Sequence, residues 1–197
     1  EDEKTKIGKY DMNNLKIGTK IVCIGPTGSG KTFFARNEIL WRLRNKIFFG
    51  IVISNSERFE SFYKDLFPDV FIYDNFEDDL LDKIFDRQEK LSEIFKEHPH
   101  LCDKYNLIKD LLIIADDCMH TKGWKRSELT NFMFSAGRHA YITFLFMMQY
   151  PLSIHPSLRT NIQHIFIFRE DDPSSRKKIF ENYASGIVPS LKIFNTL

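Results

Sequence analysis

Eight consecutive residues, Gly25-Pro26-Thr27-Gly28-Ser29-Gly30-Lys31-Thr32, constrain this chain more than any other feature. They satisfy the spacing G-x-x-x-x-G-K-[ST], with an apolar strand (Ile21-Val22-Cys23-Ile24) before them and an amphipathic stretch after them. In that stretch Ala35, Ile39 and Leu43 recur at i, i+4 and i+8, the spacing of one helix face. The chemistry needs these residue types. Glycines let the backbone curl closely around phosphate, so that several N–H groups converge on its oxygens at a helix N-terminus. Lys31 is expected to reach the β- and γ-phosphates of ATP, and the Thr32 hydroxyl to coordinate Mg2+.

Along the rest of the chain, apolar β-rich runs alternate with helical patterns, which predicts a layered α/β domain. The candidate strands are Lys20–Ile24, Gly50–Ser54, Val70–Tyr73, Leu111–Ala115, Ile142–Met148 and His164–Phe168. Several are apolar on successive residues, as expected of strands covered by helices on both faces. Leu81, Ile84, Phe85, Leu91, Ile94 and Phe95 mark one face of a helix from about Asp78 to Glu97. Asp172 followed by Pro173 predicts a helix N-cap with proline in the first turn. Residues 98–110 and 118–127 read as loops. The expected fold is a P-loop NTPase of the RecA/ASCE-like type, a three-layer sandwich with a mainly parallel central sheet. Residues 1–17 would be an N-terminal extension, 18–185 the ATPase domain and 186–197 a C-terminal tail.

A second acidic centre follows a buried-strand pattern, Leu111-Leu-Ile-Ile-Ala115-Asp116-Asp117. Downstream of a phosphate cradle this is a Walker B arrangement. Asp116 is expected to hold Mg2+ through its water shell, and Asp117 to orient or deprotonate the attacking water. Adjacent residues at a strand end point to different sides, so the two can take different roles. The strand Ile142–Met148 ends at Gln149, where ligands bind in open α/β sheets. A glutamine there can sense the γ-phosphate and position water.

The length of 197 residues suits one domain with a substantial core. The net charge of +1 means that a nucleic-acid partner must be met by a local patch. Three scattered cysteines, Cys23, Cys102 and Cys118, read as reduced thiols of an intracellular protein. The longest apolar run, Tyr141 to Met148, is too short to span a bilayer. The first residues are too charged for a signal peptide, and the missing initiator Met suggests a fragment.

Taken in order, these elements resemble the FtsK–HerA superfamily of ring-forming DNA-translocating ATPases, and within it the poxvirus-type packaging ATPases of large nucleocytoplasmic DNA viruses. The matching residues are the cradle at 25–32, LLIIADD at 111–117, Gly137-Arg138-His139, the strand ending at Gln149, and the stretch from Leu158-Arg159-Thr160-Asn161 to the strand at 165–168. The resemblance implies an ATP-driven, Mg2+-dependent hexamer or pentamer ring that pumps double-stranded DNA into a preformed capsid, with a capsid or portal component as a further partner. It implies a viral factory in the host cytoplasm, or the virion, as the location. It also implies that Arg138, eleven residues before Gln149, acts in trans as an arginine finger on a neighbour's nucleotide, with Arg159 the second candidate. The wider superfamily often has Asp-Glu where this chain has Asp116-Asp117.

Other readings stay open on the residues alone. A small-molecule kinase of the P-loop class would be about this size, and Arg169 and Arg176 could imitate its lid. A GTP-dependent switch lacks its N-K-x-D and D-x-x-G signatures here, and a non-catalytic nucleotide-binding scaffold would leave the carboxylates idle. The best candidate DNA contact is the loop with Lys122, Trp124, Lys125 and Arg126, ahead of Lys177 and Lys178. His98, His100, Cys102, Cys118 and His120 match none of the standard structural zinc spacings.

Overall fold

Alternate residues of each central strand feed two separate cores. Val22 and Ile24 of β1 (Lys20–Ile24), Ile51 and Ile53 of β2 (Gly50–Ser54), and Ile113 and Ala115 of β4 (Leu111–Asp116) face one core. Ile21, Cys23, Val52, Leu112 and Ile114 face the other. Phe144, Phe146 and Met148 of β5 (Ile142–Met148) join the first, while Leu145 and Met147 join the second. Strands buried on both faces must be apolar throughout, which is why these segments read as unbroken hydrophobic runs. Each large side chain so buried contributes about 1.5–3 kcal/mol.

The computed structural model describes residues 8–75, 78–118, 128–135 and 137–197. Its six-stranded sheet has the order β3-β2-β4-β5-β1-β6, with β3 at Ile72–Tyr73 and β6 at His164–Ile167. Every pairing is parallel, so all strand ends lie along one edge of the sheet. The helix at 31–43 covers one face with Ala35, Ile39 and Leu43 inward. Its middle, Ala35–Leu40, is π-helical, and its flanks Lys31–Phe34 and Trp41–Leu43 are α-helical. The opposite face is covered by Asp78–Glu97 through Leu80, Leu81 and Ile84, by Glu128–Ser135 through Met133 and Phe134, and by Pro173–Ile179 through Ile179. The result is the expected α/β three-layer sandwich.

The long helix has the predicted bounds, and the Asp172 side chain caps the helix Pro173–Ile179 by accepting from the Ser175 amide at 2.6 Å. Two expectations are corrected. Residues 98–110 are not all loop: Pro99–Tyr105 is a helix with proline in its first turn, closed by Asn106 in the left-handed region at φ 48°. The strand expected at Val70–Tyr73 begins at Ile72, because Asp69–Phe71 forms a 3-10 turn with Phe71 bonded back to Pro68. Val188 is buried and Phe194 packs against the core, so the last dozen residues lie on the domain. Among the described residues no helix is long and apolar enough to cross a membrane.

Candidate nucleotide-binding site

The strand order brings three of the predicted elements to one place. β5 lies between β1 and β4, so the cradle leaves β1, Gln149 follows β5, and the aspartates close β4 along the same sheet edge. The cradle itself turns through Gly28 at φ +75° and Gly30 at φ +90°, a region where a side chain is strained. Gly25 is glycine for a different reason. A Cβ there would lie 2.7 Å from Phe168 Cβ and 2.9 Å from Ser29 Oγ, so the residue after β6 and the loop itself pack directly on its backbone.

Lys31 opens the helix, and its ammonium donates to the carbonyls of Gly25 and Pro26, each at 2.8 Å. The side chain thus folds over its own loop with one of its three donors to spare. Burial pulls the Lys31 pKa down, and the nearby Asp116 and Asp117 carboxylates oppose that shift. In the middle of the cradle, Ser29 Oγ is buried without a hydrogen-bond partner among the described residues. A buried hydroxyl left unpaired is costly unless a ligand meets it.

Across the edge, the Thr32 hydroxyl donates to Asp116 Oδ2 at 3.2 Å. Asp116 is only 5% exposed, and burial pushes its carboxyl up to about 6. The hydroxyl bonds from Tyr63 and Thr32 and the Lys31 charge pull the other way. Asp117 is the first residue beyond the ladder; it turns the chain through φ +52° and is half-buried. The two aspartates thus differ in environment: Asp116 is sealed under hydroxyls, and Asp117 is half-buried. A hydroxyl and carboxylates clustered beside a phosphate cradle form the oxygen-rich donor set that suits Mg2+. The residues present fit Mg-ATP.

The arginines fall elsewhere. Arg138 is exposed, and its Cγ would lie 3.7 Å from a Cβ on Gly18. Its charge also helps to lower the Lys20 pKa, after burial. It therefore stands by the start of β1, about 13 Å of strand away from its own cradle. Gly137 before it is fixed by packing, because a Cβ there would lie 2.5 Å from the Met133 carbonyl. Arg159 is engaged within the domain: it donates to the Ile154 carbonyl at 3.0 Å, bonds Asn182 and lies over the Tyr183 ring. Lys122, Trp124, Lys125 and Arg126 lie outside the described residues, as does His120. No disulfide joins the three cysteines, and all are buried.

One participant carries no sequence signal. Tyr63 is 1% exposed and donates its hydroxyl to Asp116 Oδ2 at 2.9 Å. It sits in Phe62-Tyr63-Lys64, a stretch with no motif, and only the fold brings it across 53 residues to the site.

The family described as Poxvirus A32 protein matches residues 8–181. An uncharacterized protein, 075L of Invertebrate iridescent virus 6, is 34% identical over 186 residues, covering 94% of this chain and 67% of that protein. The chain spans about two thirds of the length of the curated relatives it matches. Among solved structures, B204, the DNA-packaging ATPase from Sulfolobus turreted icosahedral virus, aligns with a TM-score of 0.66 at 18% identity, covering 93% of this chain and 89% of that one. The genome packaging NTPase B204 from Sulfolobus turreted icosahedral virus 2, in complex with ATP-gammaS, aligns with a TM-score of 0.59 at 20% identity, covering 91% and 87%. These likenesses show a shared P-loop NTPase fold, and the sequence match over most of the chain establishes kinship: the chain belongs to the poxvirus A32 protein family.

Proposed function

We propose that this chain is the motor domain of a Mg2+-dependent ATPase that assembles into a hexamer or pentamer ring and translocates double-stranded DNA, packaging a viral genome into its capsid. The observation that carries the reading is the convergence of Lys31, Thr32 and Asp116 at a sheet edge where Gln149 stands between the cradle and Asp117. The solved neighbours, described as genome-packaging or DNA-packaging enzymes and in one case bound to an ATP analogue, support it.

In this reading the cradle amides and Lys31 bind the phosphates, and Thr32 with Asp116 holds Mg2+. When bound, the metal neutralises phosphate charge. Asp117, accessible and next to the site, orients or deprotonates water. Gln149 positions that water against the γ-phosphate. Arg138 lies too far along β1 to serve its own nucleotide, which suits a residue that acts on a neighbour's. The domain would occupy 18–185, with double-stranded DNA and a capsid or portal component as partners, in a viral factory or the virion.

The test is ATP turnover with and without double-stranded DNA longer than the ring is thick, at low salt and above the assembly concentration. Turnover should rise with DNA of any sequence and the stimulation should weaken as salt increases, because a motor contacts phosphates and releases counterions. Flat turnover under these conditions would sink the motor reading and favour a phosphotransferase.

A further inference from the structure

We propose that Tyr63 is a positioning residue of the nucleotide site, whose hydroxyl aims Asp116 for the Mg2+ of bound Mg-ATP while Glu57 and Arg36 hold the loop that carries it. The inference rests on the nucleotide-binding reading of the same site.

Two hydroxyls, from Thr32 and Tyr63, meet at one carboxylate oxygen, Asp116 Oδ2. Thr32 comes from the cradle helix. Tyr63 comes from the segment after β2 and reaches the same oxygen from a second element. Fixing one oxygen of a carboxylate fixes its plane, and with it the direction in which the other oxygen is presented. A buried tyrosine needs an acceptor, and a backbone carbonyl would serve for packing alone. Here the acceptor is a buried carboxylate, whose charge needs strong donors to be retained away from water.

The loop is built to hold that hydroxyl in place. Glu57 is 2% exposed, and its carboxylate accepts from three successive amides: Phe62 at 2.9 Å, Tyr63 at 2.7 Å and Lys64 at 3.1 Å. Ser61, at φ +49°, turns the chain into this grip. From the other side Arg36, one turn beyond Thr32 on the cradle helix, donates to the Phe62 carbonyl at 3.0 Å. Its guanidinium also lies over the Phe62 ring and pairs with Asp65 at 3.4 Å. A buried carboxylate spent wholly on backbone amides is an expensive anchor for an ordinary surface loop. It is intelligible if the residue at its centre must not move.

Tyr63→Phe keeps the ring and removes only the O–H. Binding of a fluorescent ATP analogue is measured while Mg2+ is titrated, alongside binding in EDTA, turnover and thermal unfolding. The Mg2+ midpoint should rise about three- to tenfold, the range one hydrogen bond commonly carries, with binding in EDTA unchanged and kcat falling more than KM changes. Glu57→Gln, which replaces an acceptor by an amide NH2 facing backbone donors, should move the midpoint the same way by less. An unchanged midpoint in folded Tyr63→Phe, or equal losses with Mg2+ and in EDTA, overturns the proposal. If Tyr63→Phe does not fold, the midpoint of Glu57→Gln decides on the same terms. A wild-type protein that binds Mg-ATP without turning it over would defeat the motor reading but leave the binding test intact. One that binds no nucleotide would overturn both.

Discussion

The Gly25 amide donates a 3.1 Å hydrogen bond to the Met148 carbonyl, so the cradle and Gln149 leave the sheet from hydrogen-bonded neighbouring strands. Ile24 and Met148 are in register, and Met147 pairs with Asp116 on the other side. Backbone pairing of Met148 and Met147 thereby places Gln149, the next residue, between the two halves of the site. Gln149→Ala and Asp117→Asn should each still bind ATP while hydrolysing it at least about tenfold more slowly, the low end of acid–base contributions. Equilibrium binding and single-turnover hydrolysis check this. Loss of nucleotide binding in Asp117→Asn would reverse the roles of the two aspartates.

Lys31→Ala should abolish ATP hydrolysis with little loss of stability. The substitution leaves the Gly25 and Pro26 carbonyls without their charged side-chain donor, at about 1.5–3 kcal/mol per bond before water replaces it. It also removes a buried ammonium whose pKa burial already depresses, which offsets part of that loss. A melting curve and a phosphate-release assay suffice. Normal turnover in the folded variant would remove the nucleotide-site assignment of the lysine.

Asp116→Asn should stabilise the Mg2+-free protein at neutral pH. Burial places the folded-state carboxyl near 6, above its unfolded value near 4, so the folded chain binds more protons in that window. Stability from this group is therefore lost as pH rises from about 4 to about 6, and a shift of two units corresponds to roughly 3 kcal/mol at most. The amide lacks the penalty. Urea unfolding in EDTA should show the variant more stable by about 1–3 kcal/mol at pH 7, with the curves converging near pH 4. A pH-independent difference would mean that the carboxyl is not the cause.

Much of this arrangement was legible in the sequence because it is local. The cradle, the tandem aspartates and the bounds of β1, β2 and β5 each depend on a contiguous run: glycines at positive φ, or unbroken apolar strands buried on both faces. What escaped depends on contacts across the fold. Tyr63 becomes part of the site only because β2 and β4 are neighbours, which no local pattern around it announces. Gln88, wholly buried in the long helix, reads as a polar interruption of its apolar face. It bonds the carbonyls of Lys109 and Ala140, which flank the starts of β4 and β5. The helix at Pro99–Tyr105 leaves little trace in the sequence because its seven residues carry too short an apolar period to register, although Pro99 is a usable start signal.

The assembly prediction concerns Arg138. It is exposed at the start edge of the sheet, beside Gly18 and the first residue of β1, while the cradle leaves the far end of that strand. Arg159, the other candidate, is already committed to Ile154, Asn182 and Tyr183, so its loss should cost stability. On the proposed trans-acting role, Arg138→Ala should keep its melting temperature and bind ATP normally, yet hydrolyse it slowly. An arginine finger supplied in trans is worth about 10³–10⁵ in rate in the systems where it is best measured. Mixing Arg138→Ala with Lys31→Ala protein should restore part of the activity, since mixed rings contain interfaces that pair an intact cradle with an intact arginine. Specific activity of the wild type should also rise with protein concentration as rings form. Mixtures that stay inactive, combined with a concentration-independent wild-type rate, would identify a competent monomer and leave Arg138 as a surface charge.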